Sequence, residues 1–229
     1  MLNIQTTPAF REACPPFVGA AVTAYVTNSP TSPALWREMS ECSSRLRRYF
    51  TVDTIKERVG IAATRAAYKR AGKDPSRYRP ACEQLVRRLL QGKELYSVDT
   101  LVDAVNLVSL AYGYSTAALD RDRIVGTDVT LDLGLEDEPY EAIGRGTINI
   151  ARLPVYRDAA GPFATPTSDS TRTRIQPDTT RVTVLINGYD GDAQRVTLAA
   201  RYTLALLRRY AYALHGAYTL YGATPHPVR

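Results

Sequence analysis

The chain has 229 residues, of which 45% are hydrophobic, and it carries a formal net charge of +6 at pH 7. This length and composition can supply a hydrophobic core, and they favour one domain over residues 1–229. No apolar run reaches the roughly 18 residues that a membrane-spanning helix needs, and the N-terminus lacks a signal-peptide pattern. We therefore expect a cytoplasmic protein without a membrane partner.

The cysteine and histidine content argues against several kinds of site. Cys14, Cys42 and Cys82 are odd in number and far apart, which argues against a disulfide framework and against a CxxC metal site. His215 and His226 are the only histidines, so a His-based triad or metal cluster is not expected. The sequence thus predicts no metal and no cofactor.

The first part of the chain is mostly helical in pattern. Ser32 is a cap candidate with Pro33 at the first helical position, and Thr54 with Glu57 has capping-box spacing. The elements expected here are a strand over 17–27 and helices over 33–49, 54–71, 80–91 and 98–110.

Strand patterns follow from about residue 124. The expected elements are strands within 128–135, 147–158 and 182–188, a long loop over 159–177, a helix over 192–214 and a loose tail over 215–229. Helices, then strands, then a helix are typical of an α+β domain.

Positive charge is concentrated in one segment. Residues 45–90 contain 13 Lys or Arg and 4 Asp or Glu, a local charge of +9, which leaves −3 for the remainder. Tyr49, Tyr68 and Tyr78 are interleaved with these cations. The segment predicts a docking face for a polyanion, although a set of solvated helix faces is the alternative.

The apolar helix over 98–110 is interrupted by Asp103, Asn106 and Ser109. A buried polar stripe is costly unless its atoms are hydrogen bonded. The stripe therefore predicts either the lining of a small pocket or a cap and hydrogen-bond network inside the core.

Two blocks carry a family resemblance. They are the run RAAYKRAGKDPSRYRPACEQLVRRLLQGKELYSVDTLVDAVNLVSL and the later run YRDAAGPFATPTSDSTRTRIQPDTTRVTVLI. Over about residues 45–190 the chain resembles the B3/B4 domain of the phenylalanyl-tRNA synthetase beta subunit, most of all the freestanding proteins built from that domain. The resemblance implies an α+β fold with mixed or antiparallel sheets and helices packed on them.

The resemblance also implies a function. In the synthetase this domain hydrolyses the ester of tyrosine wrongly attached to phenylalanine tRNA, so a freestanding copy resembles a trans-editing aminoacyl-tRNA deacylase. Its expected partners are the aminoacylated acceptor end of tRNA and a noncognate amino acid, with no DNA. Because an aminoacyl ester is already activated, positioned donors and one oriented water can suffice without histidine.

Family positions map onto this chain with departures. The Thr-Asn pair of the pocket helix reads Val105-Asn106, a histidine of bacterial synthetases falls at Ala117, and the acidic residue that reads the tyrosine hydroxyl falls at Leu185 or Asn187. The catalytic candidates are Asn106, Asp169 and Ser170. The substrate-binding candidates are Asp103, Ser109, Ala117, Thr165, Arg172 and Asn187.

The tRNA-binding candidates are the cations of the basic segment, namely Arg65, Lys69, Lys73, Arg77, Arg79 and Arg88. Three functions stay open at this point. They are a deacylase, an RNA-binding module without catalysis, and a small-molecule pocket that has lost its contact with tRNA. The sequence does not predict an oligomeric state.

Overall fold

A computed structural model of the protein describes residues 1–222, and it is an α+β structure as predicted. The helices are α1 Pro8–Ala13, α2 Pro33–Tyr49, α3 Val59–Arg70, α4 Ala81–Leu90, α5 Thr100–Tyr112 and α6 Ala193–Tyr210. The strands are β1 Asn3–Thr6, β2 Val18–Tyr25, β3 Ser115–Asp120, β4 Asp128–Leu133, β5 Glu141–Ala142, β6 Gly146–Thr147, β7 Pro154–Asp158, β8 Gly161–Ala164, β9 Arg181–Gly188 and β10 Leu214–Gly222. Short 3₁₀ turns occupy Ile55–Glu57, Arg121–Arg123 and Thr171–Thr173.

The strands form two four-stranded sheets and one small hairpin. The central sheet has the order β10-β2-β9-β3 and is antiparallel throughout. The second sheet has the order β1-β4-β7-β8, in which only the β1–β4 pair is parallel. Strands β5 and β6 form the hairpin, and Ala142 of β5 also makes an isolated antiparallel bridge to Ser170. The sheets are therefore mixed and antiparallel, as the resemblance implied.

The central sheet has a different core on each face. On β9, Val182, Val184 and Ile186 pack with residues of α2, α4, α5 and α6, whereas Leu185 packs with the second sheet. Because successive side chains of a strand point to opposite faces, β9 contributes to both cores at once. Its burial on both sides explains its nearly unbroken apolar sequence.

Most of the predicted helices are found, with corrections at their ends. The Ser32 hydroxyl caps α2 by accepting from the Leu35 amide. The helix predicted over 54–71 is instead a 3₁₀ turn followed by α3, because the Thr54 hydroxyl bonds to the Thr51 amide and does not cap a helix. No helix within residues 1–222 is long and apolar enough to cross a bilayer.

The C-terminal segment corrects the prediction of a loose tail. Residues 214–222 form β10, an edge strand that pairs with β2 over most of its length. Tyr221 reaches across this sheet and bonds to Tyr156. The rest of the predicted tail, with His226, lies outside the described residues. The loop predicted over 159–177 is also partly a strand, β8.

Substitution of Gly19 tests whether the Tyr221 ring of β10 lies over this position of β2. A Cβ atom at this position would overlap the ring of Tyr221. We expect Gly19→Ala to lower the free energy of unfolding by about 1–3 kcal/mol, the usual cost of overpacking. Urea denaturation of the wild type and the variant measures the difference.

The matched control for Gly19→Ala is the same substitution in a Tyr221→Ala background. There the overlap is gone, and we expect the cost to fall below ~0.5 kcal/mol. An equal cost in both backgrounds would show that the Tyr221 ring does not lie over Gly19.

Candidate functional site

The loop between β8 and the 3₁₀ turn Thr171–Thr173 is held by its own side chains. The Thr165 hydroxyl accepts from the amides of Thr167 and Ser168 and donates to the Ser168 carbonyl. The Ser170 hydroxyl accepts from the Arg172 amide and caps the turn. We call residues 165–170 the site loop; these bonds give it a fixed shape.

Neighbouring elements hold the site loop from two sides. The Tyr68 hydroxyl lies 2.9 Å from the Thr167 hydroxyl, which in turn donates to the Tyr78 carbonyl at 3.1 Å. The Tyr140 hydroxyl donates to the Ser168 carbonyl at 2.8 Å. Since Thr167 has only one hydroxyl proton, Tyr68 must donate to it. These bonds attach the site loop to its neighbours and make it a rigid wall.

Asp169 is the exception within this satisfied loop. Its carbonyl accepts from the Ile143 amide, but no residue of the described 1–222 donates to its carboxylate. Part of its surface stays accessible, while desolvation raises the pKa of the carboxyl to about 8. Its surroundings are dense, yet part of the residue stays accessible; we call this partly accessible position of Asp169 on the site loop the Asp169 recess.

A row of tyrosines lies on the same side of the central sheet. The Tyr156 hydroxyl donates to Oδ1 of Asn187 at 2.6 Å, and the Tyr221 hydroxyl lies 2.7 Å from that of Tyr156. The Asn187 amide nitrogen donates to the Ser115 carbonyl, which fixes its orientation. Tyr189 is buried, and its hydroxyl has no partner within residues 1–222.

These hydroxyl groups and Asp169 act on each other electrostatically. Burial raises the pKa of Tyr140 and of Tyr156, and the negative charge of Asp169 raises both further. The hydroxyls therefore stay protonated and neutral around Asp169. The arrangement offers hydrogen-bond donors and one carboxyl group whose protonation changes near neutral pH.

The polar residues of α5 are not part of this arrangement. Asp103 is fully buried and accepts from Thr31, Ser97 and the Val98 amide, and Ser109 bonds to Thr116. Both lie on the helix-covered side of the central sheet. Asn106 lies one turn after Val102, on the partly exposed side of α5. The buried residues of α5 pack in the helix-covered core, whereas Phe163 and Ala164, which lead into the site loop, pack with the second sheet.

The other candidates lie near Asp169 but are mostly engaged. Ala117 faces the core of the second sheet and pairs with Leu185 across the strands. Arg172 makes an ion pair of 2.9 Å with the Asp158 carboxylate, which fixes the 3₁₀ turn. Thr165, Ser170 and Asn187 are buried, and each forms the hydrogen bonds already described. Their contribution to a site is to shape and support the recess.

The predicted tRNA-binding residues divide into two groups. Arg65 pairs with the buried Glu83 at 2.9 Å, Lys73 donates to Asn149, and Arg88 donates to the Glu94 carbonyl beside the Tyr96 ring. Three more cations remain exposed, namely Lys69, Arg77 and Arg79. Internal bonds occupy the first group, whereas the second group is exposed to solvent, with Arg79 also 4.0 Å from the Glu83 carboxylate.

Exposed cations border the site loop. The segment 77–80 contacts it through the Tyr78 carbonyl, and the Ala81 amide donates to the Pro166 carbonyl at 2.7 Å. On the other side, Ile143 and Ala142 bond to residues 169 and 170, and the exposed Arg145 of the same hairpin contacts Gln84. We call Arg77, Arg79 and Arg145 the basic rim; it places positive charge on the two segments that flank the site loop.

The family comparison agrees with this architecture. A family model described as the B3/4 domain matches residues 63–211, which include α3, the site loop, β9 and α6. The chain belongs to the B3/4 domain family. A search of curated proteins found no match. The B3/4 domain is associated with tRNA binding in the phenylalanyl-tRNA synthetase beta subunit, which supports a general RNA interaction here.

Sequence reasoning missed the tyrosines of this B3/4 domain. The chain has 15 Tyr and only 4 Phe, and several of its largest fully buried side chains are tyrosines. Phe would fill a core equally well if only side-chain volume mattered. The excess of Tyr over Phe in the sequence therefore indicates that the core uses tyrosine hydroxyl groups. Within residues 1–222, no group of three or more His, Cys, Asp or Glu side chains is placed to hold a metal ion.

The raised pKa of Asp169 predicts a stability effect. An unfolded Asp ionises near pH 4, whereas the folded carboxyl ionises at about 8. The folded state therefore binds the proton more tightly, and stability falls as pH rises from about 4 to 8. We therefore compare the free energy of unfolding of Asp169→Asn with that of the wild type. We expect this difference to shift in favour of the variant by ~1.4 kcal/mol or more between pH 5 and pH 9, which corresponds to one pKa unit.

Denaturation of both proteins at pH 5, 7 and 9 measures this effect of Asp169. The exposed Asp178→Asn is the control with the same change of charge. A difference between wild type and Asp169→Asn that does not vary with pH would contradict the desolvated state of this carboxyl.

Proposed function

We propose that this B3/4 domain protein binds aminoacylated tRNA and hydrolyses the ester of a noncognate amino acid. The observation that carries the proposal is the unpaired Asp169 carboxyl in a recess bordered by the basic rim. A buried group with a pKa near the working pH suits proton transfer, and active sites often contain such groups. Structural carboxylates, such as Asp158 with Arg172, are normally paired instead.

The basic rim would hold the RNA. Guanidinium groups bind phosphates through several donors, and Arg77, Arg79 and Arg145 are exposed on two segments that flank the site loop. RNA bound along these segments would bring its acylated 3′ end to the recess. The rigid site loop would then orient the ester by its backbone, since its side chains are largely engaged with each other.

Asp169 would handle the proton in hydrolysis. In its ionised form it would take a proton from a water molecule while the water oxygen attacks the ester carbonyl carbon. As the bond from that carbon to the ribose oxygen breaks, the proton would pass to the ribose oxygen. The products are a free amino acid and a tRNA with its hydroxyl restored. This assignment needs no histidine, in keeping with the position of Ala117.

A binding module without catalysis is the second candidate. It is favoured by the loss of the predicted partners of Asp169, because Asn106 lies elsewhere and Ser170 caps a turn. The two candidates share RNA binding and differ only in ester hydrolysis. Release of an amino acid from charged tRNA by the wild-type protein therefore distinguishes them.

We expect Arg77→Ala/Arg79→Ala to weaken tRNA binding by about tenfold or more. Loss of two phosphate contacts should also reduce the slope of log K against log salt by about 2. Titration of tRNA by fluorescence anisotropy at several salt concentrations measures both quantities. The control is Arg201→Ala/Arg208→Ala, which removes two exposed charges from α6.

Equal losses in the two double variants would mean that tRNA responds to net charge and not to the rim. Binding by the wild type that does not depend on salt would contradict contact through phosphates. Either result would remove the support that the basic rim gives to the proposed function.

We expect Asp169→Asn to reduce deacylation of misacylated tRNA by about 10²-fold or more, the usual range for a general acid–base group. Tyrosine on phenylalanine tRNA is the first substrate to test, followed by the other noncognate pairs. The wild-type rate should rise with pH and level off above about 8, because the ionised carboxylate is the active form. Asp178→Asn is the control and should keep the full rate.

A wild-type protein that binds tRNA but releases no amino acid from any charged species would establish the binding module instead. A full rate in Asp169→Asn would leave hydrolysis standing and exclude Asp169 from it. Measurement of tRNA binding alongside each rate separates these outcomes from a failure of the protein to fold.

A further inference from the structure

A cavity lies on the helix-covered side of the central sheet, and Asp169 is not among its lining residues. It is about 380 Å³ in volume and is formed by α2, the end of α5, the middle of α6 and the residue before α3. This volume is within the range of roughly 300–1,000 Å³ that is usual for small-molecule sites. Nothing in the proposed deacylation uses it.

Two arginines line this cavity. Arg45 is exposed on α2, and Arg58 stands just before α3 and donates from Nη2 to the Ala111 carbonyl at 2.6 Å. The other terminal nitrogen of Arg58, Nη1, is buried and has no partner within residues 1–222. A buried donor without an acceptor is unfavourable, so the protein itself does not fully compensate the charge of Arg58.

The electrostatics of the cavity favour a negative ligand. Of the described residues that line it, none is acidic. Burial lowers the pKa of Arg58, which means that its charge lacks full compensation in the folded protein. Arg195 adds positive charge nearby, because it donates to the Tyr112 carbonyl beside the cavity. Because the charge of a guanidinium is delocalised over the group, it attracts an anion that lies near any of its nitrogens.

Aromatic rings supply the remaining walls. Tyr112 and Tyr202 have ring centroids 6.0 Å apart, and Tyr49 on α2 is 79% exposed at the mouth. Such rings can stack against a planar base, and this stacking is worth about 1–3 kcal/mol per base. A carboxylate alone would use the arginines but leave these rings without a role.

We propose that this cavity binds a nucleoside phosphate, with the phosphate at Arg45 and Arg58 and the base among Tyr49, Tyr112 and Tyr202. The ligand is either a free mononucleotide or one unpaired nucleotide of an RNA strand, since both offer the same groups. The proposal does not depend on ester hydrolysis, and the site is separate from the Asp169 recess.

The probes are AMP, adenosine and a single-stranded RNA trinucleotide, each titrated by calorimetry into the full-length protein. We expect AMP to bind at least tenfold more tightly than adenosine, because only AMP has the phosphate. We expect Arg45→Ala to weaken AMP binding at least tenfold, and Tyr49→Ala to weaken both AMP and adenosine. Both side chains are exposed, so neither change should disturb folding.

Arg37→Ala is the matched control, since it removes an exposed arginine from the same helix outside the cavity lining. Asp169→Asn should bind AMP as the wild type does. Tighter binding of the trinucleotide than of AMP would identify an RNA strand as the source, and equal binding would identify a free nucleotide.

Three results would overturn the nucleotide site. They are no binding of AMP or trinucleotide at millimolar concentration, equal affinity for AMP and adenosine, and equal losses in Arg45→Ala and Arg37→Ala. Arg58 is left unchanged in these tests because its bond to Ala111 caps α5. None of these results bears on deacylation at Asp169, so the two proposals fail separately.

Discussion

Side-chain alternation along β9 is the constraint on which the rest of the structure depends. Each step along this central strand moves a side chain from the helix-packed core to the core shared with the second sheet. The same alternation fixes Asn187 on the side of Tyr156 and the site loop, and it leaves α5 on the other side. A single sheet therefore separates the Asp169 recess from the arginine-lined cavity, and each can hold its own ligand.

Desolvation gives the Asp169 recess its chemical character. Tyr140 donates to the loop backbone and Tyr156 donates to Asn187, which leaves the carboxyl without a donor of its own. A carboxylate in this condition destabilises the fold once it ionises. Destabilising groups of this kind are usually retained where function requires them. The lower stability of the ionised protein and the proposed proton transfer would both arise from desolvation of the Asp169 carboxyl.

Positive charge in the basic segment serves two purposes. Part of it surrounds Glu83, a buried carboxylate that Arg65 contacts directly and that Arg79 and Arg87 approach within about 4 Å. Of the charges left exposed, Arg77 and Arg79 lie on the turn before α4, where that turn meets the site loop. The basic segment, which the sequence predicts to be one docking face, thus contains an internal group of ion pairs and a set of exposed cations.

The sequence alone determined the α+β class, the B3/4 resemblance, most helices, and the strands β2, β4 and β9. These follow from local periodicity, caps and the order of the two family blocks. Only the tertiary structure decided that the polar stripe of α5 is internal bonding, because Asp103 and Ser109 find partners far from the recess. It also decided that β10 returns to the central sheet and that buried tyrosines surround Asp169. Partners, burial and the side of a sheet arise from contacts between residues far apart in the chain, and no local pattern encodes them.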